Sequence, residues 1–323
     1  MAEKLKIGIY WAASCGGCEI GILEIGDKLL DLIEVADLVF CPCILDFKYD
    51  DVRAMPDGYI DVCLFNGGIR NSENQEIAEL LREKSKVMVA YGSCASEGGI
   101  PALGNLFSTD DLLKRAYTTE TTDNPVGIIP GPGHSVEEGE LHLPTVHDRV
   151  RRLSDVIDVD YFMPGCPPTE IQTWAVIQAV ASGNLPPKGS KVGVGDKSVC
   201  DECDRERRGV KIKKFFRPHE IIAEDGWCLL EQGILCLGSA TRSGCEARCI
   251  DANMPCRGCY GAAGESKDQG AAMLSAVGSM LAADSIEKAE EIVKSMVDPA
   301  GTTYRFGMAE SMLVRHFPER GQG

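Results

Sequence analysis

The sequence predicts an α/β protein in which a doubly wound parallel sheet in residues 1–190 is followed by an irregular, cysteine-rich domain in residues 191–323 that ends in a helix. In the first part, short apolar runs alternate with helical patterns, as in parallel sheets covered by helices. From about Lys191 the apolar runs shorten, and Cys, Gly and charged residues crowd together as far as Cys259. We therefore expect a flavodoxin-like first domain, and a second domain that needs more than an apolar core to hold it together.

Six short apolar runs are the predicted strands of the first domain. Amphipathic stretches between them, residues 19–34 and NQEIAELLREK from Asn74, predict helices that cover the sheet. A further helical pattern, predicted as the C-terminal helix, begins at Ala271. The strand candidates are KIGIYW from Lys6, DLVF from Asp37, DVCLFNG from Asp61, KVMVAYG from Lys86, VGII from Val126 and VDYFM from Val159.

Composition limits the classes of function. The 323 residues are 44% hydrophobic and 25% charged, as in folded proteins long enough for two modest domains. A net charge of -16 does not supply the basic face that nucleic-acid binding requires. No apolar run is long enough to span a membrane, and residues 1–12 do not resemble an export signal. We therefore expect a cytoplasmic protein whose fifteen cysteines stay reduced and available to metals.

Four cysteines follow predicted parallel strands at the point where each strand ends. Cys15 and Cys18 follow the first strand, Cys94 the fourth and Cys166 the last, and each has a glycine beside it or close by. Ligands bind at this edge of open α/β sheets. Four converging thiolates suit a tetrahedral zinc ion or a 4Fe-4S cluster. A thioredoxin-like redox pair is the alternative for Cys15 and Cys18, but such a pair needs no further ligands.

Three other cysteines and one carboxylate in the first part have simpler interpretations. Cys41, Cys43 and Cys63 lie within or just after predicted strands without a partner spacing, so we predict that they are not ligands. Glu19, next to Cys18, is either part of a proton path or a carboxylate that stabilises the start of the following helix. We favour the helix-stabilising role.

Residues 200–259 contain eight cysteines, enough for two sites of four thiolates each. Two zinc ribbons are one alternative. Ribbons usually pair one Cys-x-x-Cys with another, whereas four single cysteines stand between the two pairs here, which favours clusters. Division in chain order is the simplest, although interleaving is an alternative. Division in chain order gives one site with Cys200, Cys203, Cys228 and Cys236, and a second site with Cys245, Cys249, Cys256 and Cys259.

These motifs carry a resemblance to a known family over essentially the whole chain. CGGCE at Cys15, YGSC ending at Cys94 and PGCPP around Cys166 are similar, in the same order, to the proximal-cluster motifs of the small, electron-transferring subunit of NiFe hydrogenases. The stretch from Cys228 to PCRGC ending at Cys259 is similar to the distal and medial cluster segment. Within that family, the resemblance is strongest to the methyl-viologen-reducing, deazaflavin-non-reducing hydrogenases of methanogens.

The resemblance implies three 4Fe-4S clusters and no catalytic residue, nickel, flavin or nucleotide on this chain. In the family the first distal ligand is often His, yet here it is Cys200, and the medial site often has three cysteines, yet Cys249 offers a fourth. Thiolate in place of imidazole lowers the reduction potential, which suits a low-potential acceptor. The implied ligands are Cys15, Cys18, Cys94 and Cys166 (proximal), Cys200, Cys203, Cys228 and Cys236 (distal), and Cys245, Cys249, Cys256 and Cys259 (medial).

The resemblance also implies partners. The NiFe large subunit would convert H2 into two protons and two electrons, and a small iron–sulfur subunit would connect this chain to heterodisulfide reductase. One alternative is a subunit like the small cluster-bearing chain of respiratory complex I, which shares the first domain but leaves the residues after Lys191 unexplained. The other is a non-enzymatic scaffold stabilised by zinc.

Overall fold

The computed structural model describes residues 4–315, and these contain nine strands and twelve α-helices. The strands are β1 (Leu5–Trp11), β2 (Ala36–Phe40), β3 (Ile60–Asn66), β4 (Ile69–Asn71), β5 (Ser85–Tyr91), β6 (Gly133–Val136), β7 (Gly139–His142), β8 (Val146–Arg151) and β9 (Tyr161–Met163). The helices are α1 (Gly17–Leu23), α2 (Lys28–Val35), α3 (Tyr49–Ala54), α4 (Ser72–Lys84), α5 (Ser93–Glu97), α6 (Thr109–Tyr117), α7 (Glu170–Ser182), α8 (Arg248–Asp251), α9 (Gln269–Met280), α10 (Ile286–Lys294), α11 (Pro299–Thr303) and α12 (Met312–Arg315).

Five strands form the parallel sheet in the order β2-β1-β3-β5-β9. Because β1 lies inside the sheet and the chain runs outward from it in both directions, the sheet is doubly wound. The α/β fold class is therefore confirmed. Outside this sheet, β4 pairs with β8, and β6 with β7 in a hairpin.

The strand predicted from Val126 is wrong. Val126 and Ile128 are 78% and 66% exposed, and the chain turns there because the Asn124 side chain bonds both the backbone N–H and the C=O of Ile128. A left-handed Gly127 completes this turn. The other five predicted strands correspond to β1, β2, β3, β5 and β9.

Apolar side chains cover both faces of the sheet. In β3, Cys63 and Phe65 belong to one core, which α4 covers, and Val62 and Leu64 belong to the core on the opposite face. This alternation follows from the two-residue period of a strand. It also explains why the central strands are almost continuously hydrophobic, since a parallel sheet buries both faces.

Two of the predicted helices are divided. The stretch 19–34 forms α1 and α2, because the chain turns at Gly26 with a left-handed φ of 67°. The pattern from Ala271 forms α9 and α10, because the chain after α9 bonds to a neighbouring segment: the Ile212 N–H donates to the Met280 carbonyl, and the Ala282 N–H to the Ile212 carbonyl.

Of the helices in residues 4–315, none has the length and apolar character that crossing a membrane requires.

The cysteine-rich part has few regular elements but does contain an apolar core. Leu229, Leu237, Ile250 and Met273 are buried there together with the cysteines Cys236 and Cys256. The thiols of these two candidate ligands are thus part of the apolar core.

Candidate metal centres

The carboxyl-terminal edge of the parallel sheet holds the first four cysteines. Cys15 lies in the loop after β1, Cys18 in α1, Cys94 in α5 directly after β5, and Cys166 in the loop after β9. The strands β1, β5 and β9 lie close together in the sheet order. The structure therefore brings these residues to one site, as the strand-end argument predicts.

The thiols of this group are electrostatic neighbours. Burial raises the pKa of Cys18, and the thiols of Cys94, Cys166 and Cys15 raise it further. Burial likewise raises the pKa of Cys94 to about 12, with contributions from Cys166 and Cys15. Thiols with such pKa values stay protonated at neutral pH unless a cation stabilises their thiolates. A set of four thiols, of which Cys18 and Cys94 are shielded from solvent, therefore fits a bound metal group.

The absence of a side chain at Gly92 leaves room for the Cys18 thiol. Gly92 has a φ of 84°, which favours glycine, and a Cβ built on it would overlap the Cys18 Sγ. Close approach of the backbone is therefore a requirement of this site.

A Gly92→Ala variant is expected to lose about four iron atoms per chain relative to the wild type, because the added methyl group displaces the Cys18 thiol. Gly209→Ala is the matched control, since Gly209 has a similar φ of 73° but nothing within 4 Å of its Cβ position. Iron analysis of the purified complex measures the difference. If Gly92→Ala and Gly209→Ala kept the same iron content, the added methyl group at position 92 would have no specific effect on the cluster site.

Glu19 is buried beside this site. It accepts a hydrogen bond from the Asn66 Nδ2, and the Asn66 Oδ1 accepts one of 2.6 Å from the Ser14 Oγ. The second carboxylate oxygen has no hydrogen-bond partner in the described residues, and burial raises the pKa of the group. Glu19 lies in the first turn of α1, as expected, but it points inward, and no side chain caps that helix at Gly16.

The three cysteines predicted as non-ligands have different surroundings. Cys63 is fully buried in β3, and burial raises its pKa to about 12. Cys41 is buried after β2 in the same core as Cys18, and the exposed Cys43 is its electrostatic neighbour. No ligand candidate contributes to the pKa shifts of these three thiols. Their non-ligand role stays a prediction.

The first group of the cysteine-rich part gathers around Cys200. Burial raises the pKa of Cys200 to about 11, the nearby Arg207 charge opposes this, and the thiols of Cys228 and Cys203 raise it further. The Cys236 thiol faces the same space, because a Cβ on Gly238 would lie 3.2 Å from the Cys200 Sγ and 3.8 Å from the Cys236 Sγ.

The second group of the cysteine-rich part gathers around Cys256 and Cys259. Burial raises the pKa of Cys256 to about 12, and the thiols of Cys245 and Cys249 raise it further. The pKa of Cys259 is raised by burial, and its thiol has all three of those thiols as neighbours. These four thiols are therefore neighbours, and their assignment to one cluster stays a prediction.

The three groups adjoin one another in a definite order. Cys166 of the sheet-edge group is an electrostatic neighbour of Cys249 and Cys259. Cys236 accepts a 3.3 Å hydrogen bond at its Sγ from the Cys256 N–H, and the Cys256 thiol contributes to raising its pKa. The Cys256 group thus lies between the other two. Because Cys236 faces both neighbouring groups, its membership of the Cys200 group stays a prediction.

The sequence does not predict the pair of carboxyl groups that lies near the sheet-edge site. Glu97 lies in α5, where Lys191 Nζ is 2.6 Å from its Oε1, and Glu310 lies beside it with Arg152 Nη1 3.1 Å from its Oε2. Burial, then the neighbouring Glu97, raise the pKa of Glu310 to about 9. Burial also acts to raise the pKa of Glu97, but the neighbouring Lys191 and Glu310 outweigh the effect of burial. The pKa of Glu97 is therefore lowered. Burial and the neighbouring Glu97 therefore favour the protonated form of Glu310.

Glu310→Gln is expected to make stability less dependent on pH. A carboxyl whose pKa is raised on folding, here from 4.5 to about 9, stabilises the fold fully below its unfolded pKa and loses that contribution as pH rises through its folded pKa. The wild-type complex should therefore lose more thermal stability than the variant between about pH 6 and pH 9. Glu265→Gln, at an exposed position, is the control. If the melting temperatures of wild type and Glu310→Gln changed equally with pH, the raised pKa of Glu310 would be contradicted.

The comparisons with known proteins agree with this architecture. A family model described as the NADH ubiquinone oxidoreductase 20 Kd subunit matches residues 15–180, which include all four sheet-edge cysteines. An F420-non-reducing hydrogenase iron-sulfur subunit of Archaeoglobus profundus is 39% identical over 96% of this chain and 98% of its own length. The chain belongs to the family of F420-non-reducing hydrogenase iron–sulfur subunits. It is accordingly an oxidoreductase subunit.

Two further proteins extend the comparison of this hydrogenase subunit. The corresponding F420-non-reducing hydrogenase subunit of Methanothermobacter marburgensis is 38% identical over the whole of both chains. Such full-length similarity includes the residues after Lys191, which a complex I-like subunit would leave unexplained. The [NiFeSe] hydrogenase of Desulfovibrio vulgaris Hildenborough has a chain that is 16% identical, with a TM-score of 0.50 over 80% of this chain and 94% of that one, and it shares the fold.

Proposed function

We propose that this chain relays electrons through three 4Fe-4S clusters between the NiFe site of a hydrogenase large subunit, where H2 is oxidised or evolved, and a low-potential acceptor subunit. The observation that carries the proposal is the order of the thiol groups. Neighbouring thiols connect the sheet-edge group to the Cys256 group, and the Cys256 group to the Cys200 group. A relay needs this arrangement, because each centre must have the next one close to it.

The residues fit iron–sulfur clusters. All twelve candidate ligands are free cysteines, and each group supplies four thiols. When bound, such clusters store and transfer single electrons without forming bonds to a substrate. The chain would fix their spacing and exclude water from them. Arginine would offset part of their negative charge, since Arg207 Nη2 donates a 2.8 Å hydrogen bond to the Cys200 carbonyl oxygen.

Zinc is the weaker alternative. Structural zinc needs its ligands gathered around one ion. In residues 200–259, four single cysteines stand between the two Cys-x-x-Cys pairs, whereas zinc ribbons usually pair one Cys-x-x-Cys with another, and this favours clusters.

Apolar side chains around the sheet-edge site support a protein partner. Trp11 at the end of β1, and Ile20 and Leu23 on α1, are 44%, 56% and 45% exposed. Together they flank Cys15 and Cys18. Exposed apolar residues grouped at a functional site are typical of protein interfaces. We infer that the large subunit covers this surface and so excludes water from the proximal cluster.

The acceptor is proposed from the all-cysteine ligand sets. Cys200 and Cys249 stand where the wider family often has His or no ligand, so all three clusters would have low potentials. Low cluster potentials suit transfer to a small iron–sulfur subunit that leads to heterodisulfide reductase better than transfer to a quinone. We place this transfer in the cytoplasm.

Anaerobic affinity purification of the tagged chain from its native host tests the partners. We expect a nickel-containing large subunit and a small iron–sulfur subunit to copurify with it. A triple variant, Trp11→Ser, Ile20→Ser and Leu23→Ser, should release the large subunit, whereas the control Ile222→Ser, at a fully exposed position, should retain it. Recovery of the chain without nickel would refute the proposed pairing with a NiFe subunit.

A further inference from the structure

A cavity of about 370 Å³ lies in the cysteine-rich part, between segments 215–219, 254–257 and 295–305. Small-molecule sites have volumes of roughly 300–1,000 Å³, so the cavity has room for a small ligand. Arg257, on its wall, lies between the ligand candidates Cys256 and Cys259. The proposed electron relay makes no use of this cavity.

The lining of the cavity is positively charged, although the whole chain has a net charge of -16. Three guanidinium groups line it, those of Arg217, Arg257 and Arg305, together with His219. Among the residues that the structure describes, Asp298 supplies the only carboxylate of the lining, and it accepts a 3.0 Å hydrogen bond from the Gly301 N–H and so caps α11. The cationic character is therefore local to this cavity.

The three guanidinium groups have no hydrogen bond or ion pair with any residue that the structure describes, and the Nε of Arg305 is buried without a partner. Arg257 is half-buried, and the charge of Arg305 lies close to it. Three guanidinium groups against one carboxylate leave the lining with a net positive charge, which a bound anion would offset.

We propose that this cavity binds a dianionic oxyanion, phosphate either free or as the head group of a small ester. Guanidinium groups match phosphate oxygens with pairs of parallel hydrogen bonds, and several of them suit a dianion better than a monocarboxylate. Apolar side chains such as Phe216, Met254 and Met296 form the remaining wall, where the organic part of an ester would lie.

Binding would also affect the nearest cluster, a consequence that rests on the proposed electron-transfer function. An anion at Arg257 would screen the positive charge that lies near the thiols of Cys236, Cys249 and Cys256. Phosphate should therefore lower the midpoint potential of one cluster. By linkage, reduction of that cluster should weaken phosphate binding by the same factor.

Calorimetry on the anaerobically purified hydrogenase complex tests the site, with inorganic phosphate, adenosine monophosphate and adenosine as probes. Arg305→Gln should weaken binding of phosphate and adenosine monophosphate by about tenfold to a hundredfold, the range for a lost charge-assisted hydrogen bond. Arg305→Lys should recover part of this, because it restores the charge without the planar fork. Arg115→Gln, at an exposed position away from the cavity, is the matched control.

The relative affinities identify the source of the phosphate group. Tighter binding of adenosine monophosphate than of phosphate supports an ester, and equal or weaker binding supports free phosphate. Arg217→Gln, at the exposed rim, should weaken either probe without disturbing the fold. The proposal would be overturned if the wild type bound neither phosphate nor adenosine monophosphate, or if adenosine bound as tightly as adenosine monophosphate. Affinities unchanged in Arg305→Gln and Arg217→Gln would overturn it too. Calorimetry does not depend on electron transfer, so these outcomes are independent of the proposed relay.

Discussion

Replacing Cys94 with alanine is expected to remove about four of twelve iron atoms per chain and to abolish hydrogen-dependent reduction of viologen dyes by the complex. Cys94 lies directly after β5, where its thiol has Cys166 and Cys15 as neighbours. In the proposed relay this centre is the one closest to the large subunit, so its loss is expected to stop electron transfer at the first step. Iron analysis and an anaerobic dye-reduction assay measure the two effects.

Cys63→Ala is the matched control for Cys94→Ala. Both cysteines belong to the same α/β domain, and burial raises the pKa of both thiols to about 12. Cys63 lies within β3 and has no ligand candidate among its neighbours, so its removal should cost only packing energy, about 1 kcal/mol for a small cavity. The proximal site would be misidentified if the two variants kept the same iron content, or if only Cys63→Ala lost iron.

Replacing Cys200 with histidine is expected to raise the midpoint potential of one cluster by on the order of 100 mV and to leave the other two unchanged. A neutral imidazole in place of a thiolate makes the site less negative and favours the reduced state. The structure places Cys200 at the end of the thiol series, beyond the Cys256 group. A potentiometric titration followed by electron paramagnetic resonance resolves the individual midpoints.

Cys43→His tests whether the effect of Cys200→His is specific. Cys43 is exposed, and its neighbour in the structure is Cys41 rather than a ligand candidate. Its replacement should leave all midpoints as they are in the wild type. Unchanged midpoints in Cys200→His would remove Cys200 from the ligand set, and a shift in Cys43→His would add Cys43 to it.

The sequence predicted the sheet and its functional edge well, because both follow from local patterns. Continuous apolar runs specify buried parallel strands, and parallel strands deliver their carboxyl ends to one edge. Cys94 and Cys166, seventy-two positions apart, could therefore be placed together from the amino-acid sequence alone. The prediction of a strand from Val126 failed because its three apolar residues flank a turn at Gly127 and have no strand beside them to pair with.

The cysteine-rich part was predicted less completely, because its chain path depends on contacts that no periodicity encodes. Chain order predicts groups around Cys200 and Cys256, whereas the middle position of the Cys256 group was implied only by the family resemblance. That order depends on the packing of Cys236 against the Cys256 backbone, and of Cys259 near Cys166. The division of the chain into two domains near Lys191 likewise stays a prediction.

Buried charge is the other feature that the sequence did not reveal. Glu97 and Glu310 are 213 positions apart, and the arginines of the cavity come from three separate segments. In the sequence each resembles an ordinary surface charge. Only the fold brings Glu97 against Glu310, and Arg257 against Arg305.

Iron and acid-labile sulfide in the anaerobically purified native complex test the central claim most directly. Three 4Fe-4S clusters on this chain predict about twelve iron and twelve sulfide per copy, after subtraction of the metal that belongs to its partners. Stoichiometric zinc without sulfide would contradict the electron-relay account.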